Sequence, residues 1–288
     1  MLALQLLCNG LVTGCALGVV AITFSLVYAT TKLFHVAHAG VYTLGGYLAW
    51  SLATRGVPFV VAFAAAAAAC AAVGAAIQWA LYARLERRHA THLVILIASL
   101  GTLAAMQNII AAAYTANILQ FPVPWASHVA AAGGNVRLTA IQLTIVAASV
   151  ASYGGLMWFA HRTILGKQMR AVASNPFLAD ITRLRPRAVH VYVMAIASAV
   201  VAVPGVLVPV DLGLQPYNGV TPLLTATIAM IAGGVGSITG AFVLAIAIAE
   251  LQNLSLLFIP GEWSIGITFF VFVIFMLARP TGLFAAAR

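Results

Sequence analysis

The residues with the clearest potential for chemistry are two histidines near the start of the second apolar segment. His35 and His38 are three residues apart, so both side chains share one face if the segment is helical. Tyr42 and the pair Gly45-Gly46 follow them. An ionisable group at membrane depth usually has a function. This group could bind a metal ion, relay protons or form structural hydrogen bonds. Metal binding is the least favoured of the three, because no carboxylate or cysteine accompanies the histidines.

A second group of small residues follows a short apolar run in the C-terminal part of the chain. The runs 38–54 and 219–235 are both short, and Gly233, Gly234 and Gly236 lie at the end of the second. Paired interrupted segments in two halves indicate a transport path near the membrane midplane and a possible internal repeat. Glycines in helices also allow close packing, so both interpretations remain open. The predicted path residues are His35, His38, Tyr42, Gly45, Gly46, Gly233, Gly234 and Gly236.

The elements that must position these residues are membrane spans. The chain has 288 residues, of which 63% are apolar and 7% charged, with a mean hydropathy of +1.06. Soluble proteins carry about 25% charged residues. We therefore predict a single all-α domain over residues 1–288, a polytopic transmembrane helical bundle of about eight to nine spans. The apolar runs are 4–31, 38–54, 57–83, 93–114, 138–160, 189–210, 219–235, 237–259 and 263–279.

Basic residues between the runs predict the orientation. The net charge of +9 is concentrated in loops, which the positive-inside bias explains without nucleic-acid binding. The segment 161–190 is a predicted cytoplasmic loop. The loop 115–137 on the other side of the membrane has Arg137 as its only Lys or Arg residue. If every run crosses fully, the N-terminus lies outside and the C-terminus is cytoplasmic. Basic residues of the cytoplasmic side are Arg84, Arg87, Arg88, Arg162, Lys167, Arg170, Arg183, Arg185, Arg187, Arg279 and Arg288.

Within the basic loop, residues 163–174 predict a short amphipathic helix. Thr163 can cap its start, and Pro176 disfavours helix at Asn175. Such a helix could lie on anionic lipid or fit a groove on a soluble protein. The spacing alone does not separate these two roles. The apolar stripe is Leu165, Met169 and Val172, and the opposite face carries Lys167, Arg170 and Ser174.

The motifs of several function classes are absent from the sequence. There is no glycine-rich phosphate loop followed by Lys-Ser or Lys-Thr, and no metalloprotease or nucleophile-elbow motif. A membrane-embedded enzyme would need a cluster of acids, histidines or nucleophiles. With only five Asp and Glu, a proton- or sodium-coupled carrier would have few carboxylates to use. These observations favour a transport subunit without a nucleotide site of its own over an enzyme or a stand-alone carrier or channel.

Four segments together resemble the branched-chain amino acid permeases of ABC transporters (LivH type). They are residues 32–47, 163–176, 231–241 and 279–284, with Gly-Gly-Val-Gly-Ser at 233–237. The resemblance implies a permease subunit of an ATP-driven importer in the bacterial inner membrane. It implies as partners a homologous second permease, cytoplasmic ATPase subunits that use ATP and Mg²⁺, and a periplasmic solute-binding protein, besides membrane lipid. It implies no cofactor in this chain.

The resemblance also implies a role for the helix in the basic loop, because this segment of the family contains the coupling helix that docks on the ATPase. The implied coupling residues are Thr163, Leu165, Gly166, Lys167, Met169 and Arg170. Three positions depart from the family pattern. His35 replaces the usual Asn, Ala39 stands where the family favours Gly, and near Arg183 the family usually has Gly within Thr-Gly-Ile. Since relatives with this architecture also carry urea, short amides or aromatic acids, the expected solute is a branched-chain or other small amino acid, with those classes as alternatives.

Overall fold

The chain folds into a helical bundle with one small hairpin. The computed structural model describes residues 2–115, 117–133, 136–182, 184–279 and 282–284; Arg183 of the basic loop, Pro280 and Thr281 of the terminal motif, and Arg288 lie outside them. The described helices are α1 (Leu2–Thr31), α2 (His38–Ala53), α3 (Phe59–Ile77), α4 (Ala83–Arg87), α5 (His92–Tyr114), α6 (Ala140–Arg162), α7 (Ile164–Ser174), α8 (Pro176–Ile181), α9 (Pro186–Leu212), α10 (Val220–Gly233), α11 (Ile238–Ser255) and α12 (Ser264–Ala278). The strands are β1 (Val129–Gly133) and β2 (Val136–Thr139), which pair antiparallel.

The described helices confirm the predicted polytopic helical fold. Seven helices are long and apolar enough to cross a bilayer, one of them formed by α3 and α4 joined through a π-helical turn at Gln78–Tyr82. The two predicted short runs are the two short helices, α2 with 16 residues and α10 with 14. At 1.5 Å per residue, each is shorter than the hydrocarbon core of about 30 Å. The loop 115–137, predicted as an outer loop of an all-α domain, contains strand β1 and the start of β2.

The two ends of the bundle differ in charge. One end carries the β-hairpin, which Gln5 of α1 joins through hydrogen bonds to the backbone of Arg137 at 2.9 and 3.1 Å. We call it the hairpin end. The opposite end carries α4, α7, α8 and the described Lys and Arg residues other than Arg55 and Arg137, and we call it the basic end.

Helix α1 is the centre of the bundle. Of its most apolar 18-residue window, 83% is buried inside the protein. Glycines make this possible, because they allow α11 to approach closely. A Cβ atom at Gly14 would lie 2.7 Å from the Cα of Ile246, and one at Gly18 would lie 2.5 Å from the Phe242 ring. Larger residues at either position would push α11 away from α1.

Both short helices begin inside the bundle. After α1 the chain turns back, because His38 at the start of α2 lies 3.0 Å from the Thr23 hydroxyl, about 12 Å before the end of α1. After α9 the chain turns back from the hairpin end, and the Gly219 N–H donates to the Thr43 hydroxyl at 3.1 Å. The first turn of α10 therefore meets the first turn of α2. From this meeting point α2 runs towards the hairpin end and α10 towards the basic end.

The packing of the helices shows an internal inverted repeat. One unit is α1, α2, α3 and α5; the other is α9, α10, α11 and α12. The main contacts have counterparts: α1 packs on α11 as α9 packs on α3, α2 packs on α9 as α10 packs on α1, and α2 packs on α5 as α10 packs on α12. In each unit a long helix is followed by a return segment and a short helix, and the two units run in opposite directions.

Candidate functional site

A cavity of about 460 Å³ opens at the hairpin end, within the size range of small-molecule sites. Helices α1, α2, α6, α9, α10, α11 and α12 all contribute to its wall. Most of the wall surface is apolar, with Val12, Leu17, Val20, Ile145 and Ile265 among the lining residues, although half of the lining residues are polar. Aliphatic walls favour an aliphatic solute over one that needs many polar contacts.

The deep part of this cavity holds hydroxyl groups from two short helices. Tyr42 of α2 is 2% exposed and Thr225 of α10 is 5% exposed, and both line the cavity with Thr221. No hydrogen bond of these three hydroxyls is found within the described residues; Tyr42 and Thr225 are buried residues, whereas Thr221 is exposed. Their position follows from the fold, because α2 and α10 both begin at this depth.

Amide and carboxylate side chains surround the mouth of the cavity. The Gln142 amide donates to the Asp211 carboxylate at 3.4 Å, and the Gln252 amide donates to the Thr268 hydroxyl at 2.7 Å. Asp211 and Gln252 both line the cavity, and Asp211 is the only acid among its described lining residues. A solute arriving at the hairpin end therefore meets polar groups first and aliphatic groups further in.

A second cavity, of about 550 Å³, lies at the basic end. It is bounded by the ends of α1 and α6, by α7, and by the turn between α10 and α11. Gly236 from the predicted path lines this cavity together with Gly166, Met169 and Arg170 from the predicted coupling set. Along α1 the two cavities are separated between Val20 and Leu26, about 9 Å, where Phe24 is fully buried.

The two histidines lie in buried hydrogen-bond networks, away from the residues that line either cavity. His35 Nδ1 lies 2.8 Å from the Tyr82 hydroxyl, which donates to the Ser99 hydroxyl at 2.9 Å. The Ala37 N–H also donates to Ser99, at 3.0 Å. Because Tyr82 donates to Ser99, it accepts from the Nδ1–H of His35. The network fixes the return segment 32–37 to α5 and to the π-helical turn.

No metal site is formed around these histidines in the described ranges. The rings of His35 and His38 are 5.6 Å apart between centroids, and each has one nitrogen without a partner. Groups of three or more His, Cys, Asp or Glu that could hold a metal ion are absent from the described part of the chain. A role for this pair on the path stays a prediction.

The remaining glycines of the predicted path lie where backbones approach closely. A Cβ at Gly46 would lie 2.7 Å from the carbonyl oxygen of Gly205 in α9, and one at Gly45 would lie 3.2 Å from Ala202. Gly234 has φ +100°, and the terminal motif packs on it: the Leu283 N–H donates to the Ala232 carbonyl at 2.9 Å. Gly233 packs against the backbone of Gly240 in α11. In this conformation these glycines contribute to packing, and the path assignment stays a prediction.

Helix α7 has the predicted start, end and faces. The Thr163 hydroxyl accepts from the Gly166 N–H at 3.0 Å, and the helix ends at Ser174, before Asn175. Met169 and Val172 are buried, and Leu165 packs partly buried against the core. Lys167, Arg170 and Ser174 are exposed on the other face. The apolar stripe thus packs against the rest of the protein, and the polar face is exposed.

Comparison with known proteins identifies the chain at the family level. The model of the family "Branched-chain amino acid transport system / permease component" matches residues 6–276. The chain belongs to this family. The permease is thus a multi-pass membrane protein whose family members are transport subunits, not enzymes.

The permease resembles curated relatives over almost its whole length. It is 24% identical to the LivH high-affinity branched-chain amino acid permeases of Salmonella typhimurium and of Escherichia coli K12, covering 97% of this chain and 94% of each relative. It is 26% identical to BraD of Pseudomonas aeruginosa, covering 97% of this chain and 95% of the relative. The structure of PsaBC from Streptococcus pneumoniae in complex with Fab shares the fold, with a TM-score of 0.50, 14% identity and coverage of 96% and 91% of the two chains.

Sequence reasoning missed two features of this permease. Thr221 and Thr225 were not among the predicted path residues, although they line the same cavity as Tyr42. Their spacing of four residues on a short helix was the available signal. Helix α8 was also missed. Its start is the dipeptide Asn175-Pro176, a cap followed by proline at the first helical position, and the Asn175 side chain accepts from the Leu178 N–H at 3.1 Å.

Proposed function

We propose that the permease is the membrane-spanning subunit of an ABC importer for branched-chain amino acids in the bacterial inner membrane. A large aliphatic cavity open at the hairpin end carries this proposal, since it suits an aliphatic solute. The proposed partners are a homologous second permease, cytoplasmic ATPase subunits that use ATP and Mg²⁺, and a periplasmic solute-binding protein. The permease itself would hold no nucleotide.

The charge distribution supports an orientation with the basic end in the cytoplasm. Except for Arg55 and Arg137, the described Lys and Arg residues lie at that end, including Arg279 after α12. The cavity lined by Tyr42 then faces the periplasm, where a binding protein would release solute. Helix α7 faces the cytoplasm, where an ATPase would dock.

The contacts of α7 suggest how its movement reaches the solute cavity. Gly166 packs against the backbone of Ala160 in α6, so α6 and α7 form a rigid pair. Arg170 and Met169 face the turn after α10 across the basic-end cavity. A push on the exposed face of α7 would shift α6 against α1 and change the packed layer around Phe24. Closing the hairpin-end cavity while opening the basic-end cavity is alternating access.

Reconstitution in vesicles tests this function. The permease is combined with its neighbouring permease and ATPases and with the binding protein, and uptake of radiolabelled leucine, isoleucine and valine is measured with ATP and Mg²⁺. We expect uptake that requires the ATPases and the binding protein. Leucine uptake in vesicles without ATPase subunits would instead indicate a carrier or channel. Efficient uptake of urea, acetamide or benzoate but not leucine would assign a different solute class.

A further inference from the structure

The hairpin-end cavity has features that would recognise one end of the solute. We propose that the permease itself binds the carboxylate group of its solute at the first turn of α10, with the hydroxyls of Tyr42, Thr221 and Thr225 as donors. This inference rests on the proposed function for the aliphatic class of solute. It adds a recognition site in the membrane subunit, separate from any selection by a binding protein.

The start of α10 offers one backbone donor to the cavity, the N–H of Thr221. Its N-cap, Gly219, makes no side-chain cap, and Pro222 has no N–H to donate. The Val220 N–H donates to the Tyr217 carbonyl at 3.2 Å, while the Thr221 N–H has no acceptor within the described residues. A helix N-terminus carries a partial positive charge and favours anions.

Two buried hydroxyls independently indicate a ligand at the same place. Tyr42 and Thr225 are more than nine-tenths buried, line the cavity and have no partner within the described residues. Buried polar groups in proteins are normally hydrogen-bonded. An ionised carboxylate only accepts hydrogen bonds and has about four acceptor positions, so it matches a group of hydroxyl and amide donors. The site is therefore complementary to an anion with several acceptors.

The composition of the cavity limits the charge of the solute. Its described lining residues include no Lys, Arg or His, so the helix N-terminus is their main source of positive potential, and their one acid, Asp211, accepts from Gln142 at the mouth, apart from the first turn of α10. One carboxylate is matched by this partial charge, whereas a second would have no counterpart. The aliphatic walls leave room for a hydrocarbon side chain. The favoured ligand class is an aliphatic monocarboxylate, including an amino acid, and a simple aliphatic amine lacks the group that the site binds.

Protection of a cysteine in the cavity tests this site directly. Val208→Cys places a reporter in the lining, and Cys8→Ser removes the half-buried natural thiol. The assembled transporter in membranes is labelled with N-ethylmaleimide in the presence of L-leucine, 4-methylpentanoate or 3-methylbutylamine. We expect the two carboxylates to slow labelling and the amine to have no effect. Protection by the amine equal to that by leucine, or protection by none of the three, would overturn the proposal.

Matched threonine variants separate ligand binding from helix stability. Thr225→Val removes a hydroxyl that lines the cavity, and Thr227→Val removes one on the same helix that bonds the Leu223 carbonyl at 2.8 Å. Since a hydrogen bond to a charged group is lost, the half-protecting concentration of both carboxylates should rise about tenfold with Thr225→Val. The same rise is expected with Tyr42→Phe, and no rise with Thr227→Val. Equal effects of the two threonine variants would refute the assignment.

Failure of this inference is distinguishable from failure of the proposed function. ATP-driven leucine uptake is measured in parallel with the reporter-free protein. Normal ATP-driven uptake without carboxylate-dependent protection would refute the proposed binding site but not the proposed importer function. Uptake that does not depend on ATP, with carboxylate protection intact, would refute the importer function but not the binding site.

Discussion

The buried network around Tyr82 allows a quantitative prediction for Tyr82→Phe. The Tyr82 hydroxyl accepts from His35 and donates to Ser99, at 2.8 and 2.9 Å, and all three side chains are fully buried. Phenylalanine preserves the ring and its packing but removes the hydroxyl. Ser99 still accepts from the Ala37 N–H at 3.0 Å. The N–H of His35, in contrast, is left without an acceptor.

The size of the effect follows from these two losses. A typical hydrogen bond contributes about 1 kcal/mol, and a stranded buried donor costs about 1–3 kcal/mol. Because Ser99 keeps one partner, we expect Tyr82→Phe to lower the free energy of unfolding by about 2 to 3 kcal/mol. The matched control is Tyr192→Phe, since Tyr192 is 54% exposed and loses no buried contact.

The measurement is unfolding of the purified protein from mild detergent by titration with sodium dodecyl sulfate, followed by tryptophan fluorescence. A second variant, His35→Leu combined with Tyr82→Phe, removes the stranded donor as well. The double variant should therefore lose less than the sum of the two single losses. The network would be contradicted if Tyr82→Phe and Tyr192→Phe lowered the free energy of unfolding by amounts within about 0.5 kcal/mol of each other.

The remaining predictions concern coupling and packing. Arg170→Glu reverses a charge on the exposed face of α7 and should abolish solute-stimulated ATP hydrolysis in the assembled transporter, whereas Arg55→Glu at the hairpin end should not; normal stimulation with Arg170→Glu would exclude α7 as the docking helix. Gly234→Leu should block uptake, because φ is +100° and Gly282 packs against this residue. In the control Gly101→Leu, where a Cβ meets nothing within 4 Å, uptake should persist; unimpaired uptake with Gly234→Leu would show that the turn tolerates a side chain. Thr163→Ala removes the cap of α7 and should destabilise this helix by about 1 kcal/mol, measured as faster amide exchange in α7, and unchanged exchange would argue against the cap.

Local features were predictable from the sequence because their causes lie within a few residues. The cap at Thr163 and the apolar stripe through Met169 gave α7 its bounds and its buried face, as found. The nine apolar runs likewise correspond to the spans and the two short helices, since length and hydropathy decide insertion. The β-hairpin escaped prediction, because its alanine-rich strand β1 has low strand propensity and is held by pairing with β2, which in turn contacts α1.

Contacts between residues far apart in the chain were not predictable from one sequence. The buried partners of His35 are on α5 and at the end of the π-helical turn, 47 or more residues away along the chain. Tyr42 and Thr225 line the same cavity only because α2 and α10 both begin in the interior. The glycine motif predicted a close approach at Gly46 but not the partner, which is Gly205. Spacing describes one helix face, whereas a site needs the relative placement of several helices.

The inverted repeat gives α6 a particular importance. Helices α1, α2, α3 and α5 have counterparts in α9, α10, α11 and α12, but α6 and the α7–α8 segment after it have none. Because α6 adds one crossing between the repeats, the second repeat enters the membrane from the opposite side and the two short helices meet head to head. Two alike halves related in this way would make the two faces of the protein equivalent. Residues 140–181, which have no counterpart in the repeat, make the two faces different, so we expect the direction of transport to depend on this segment.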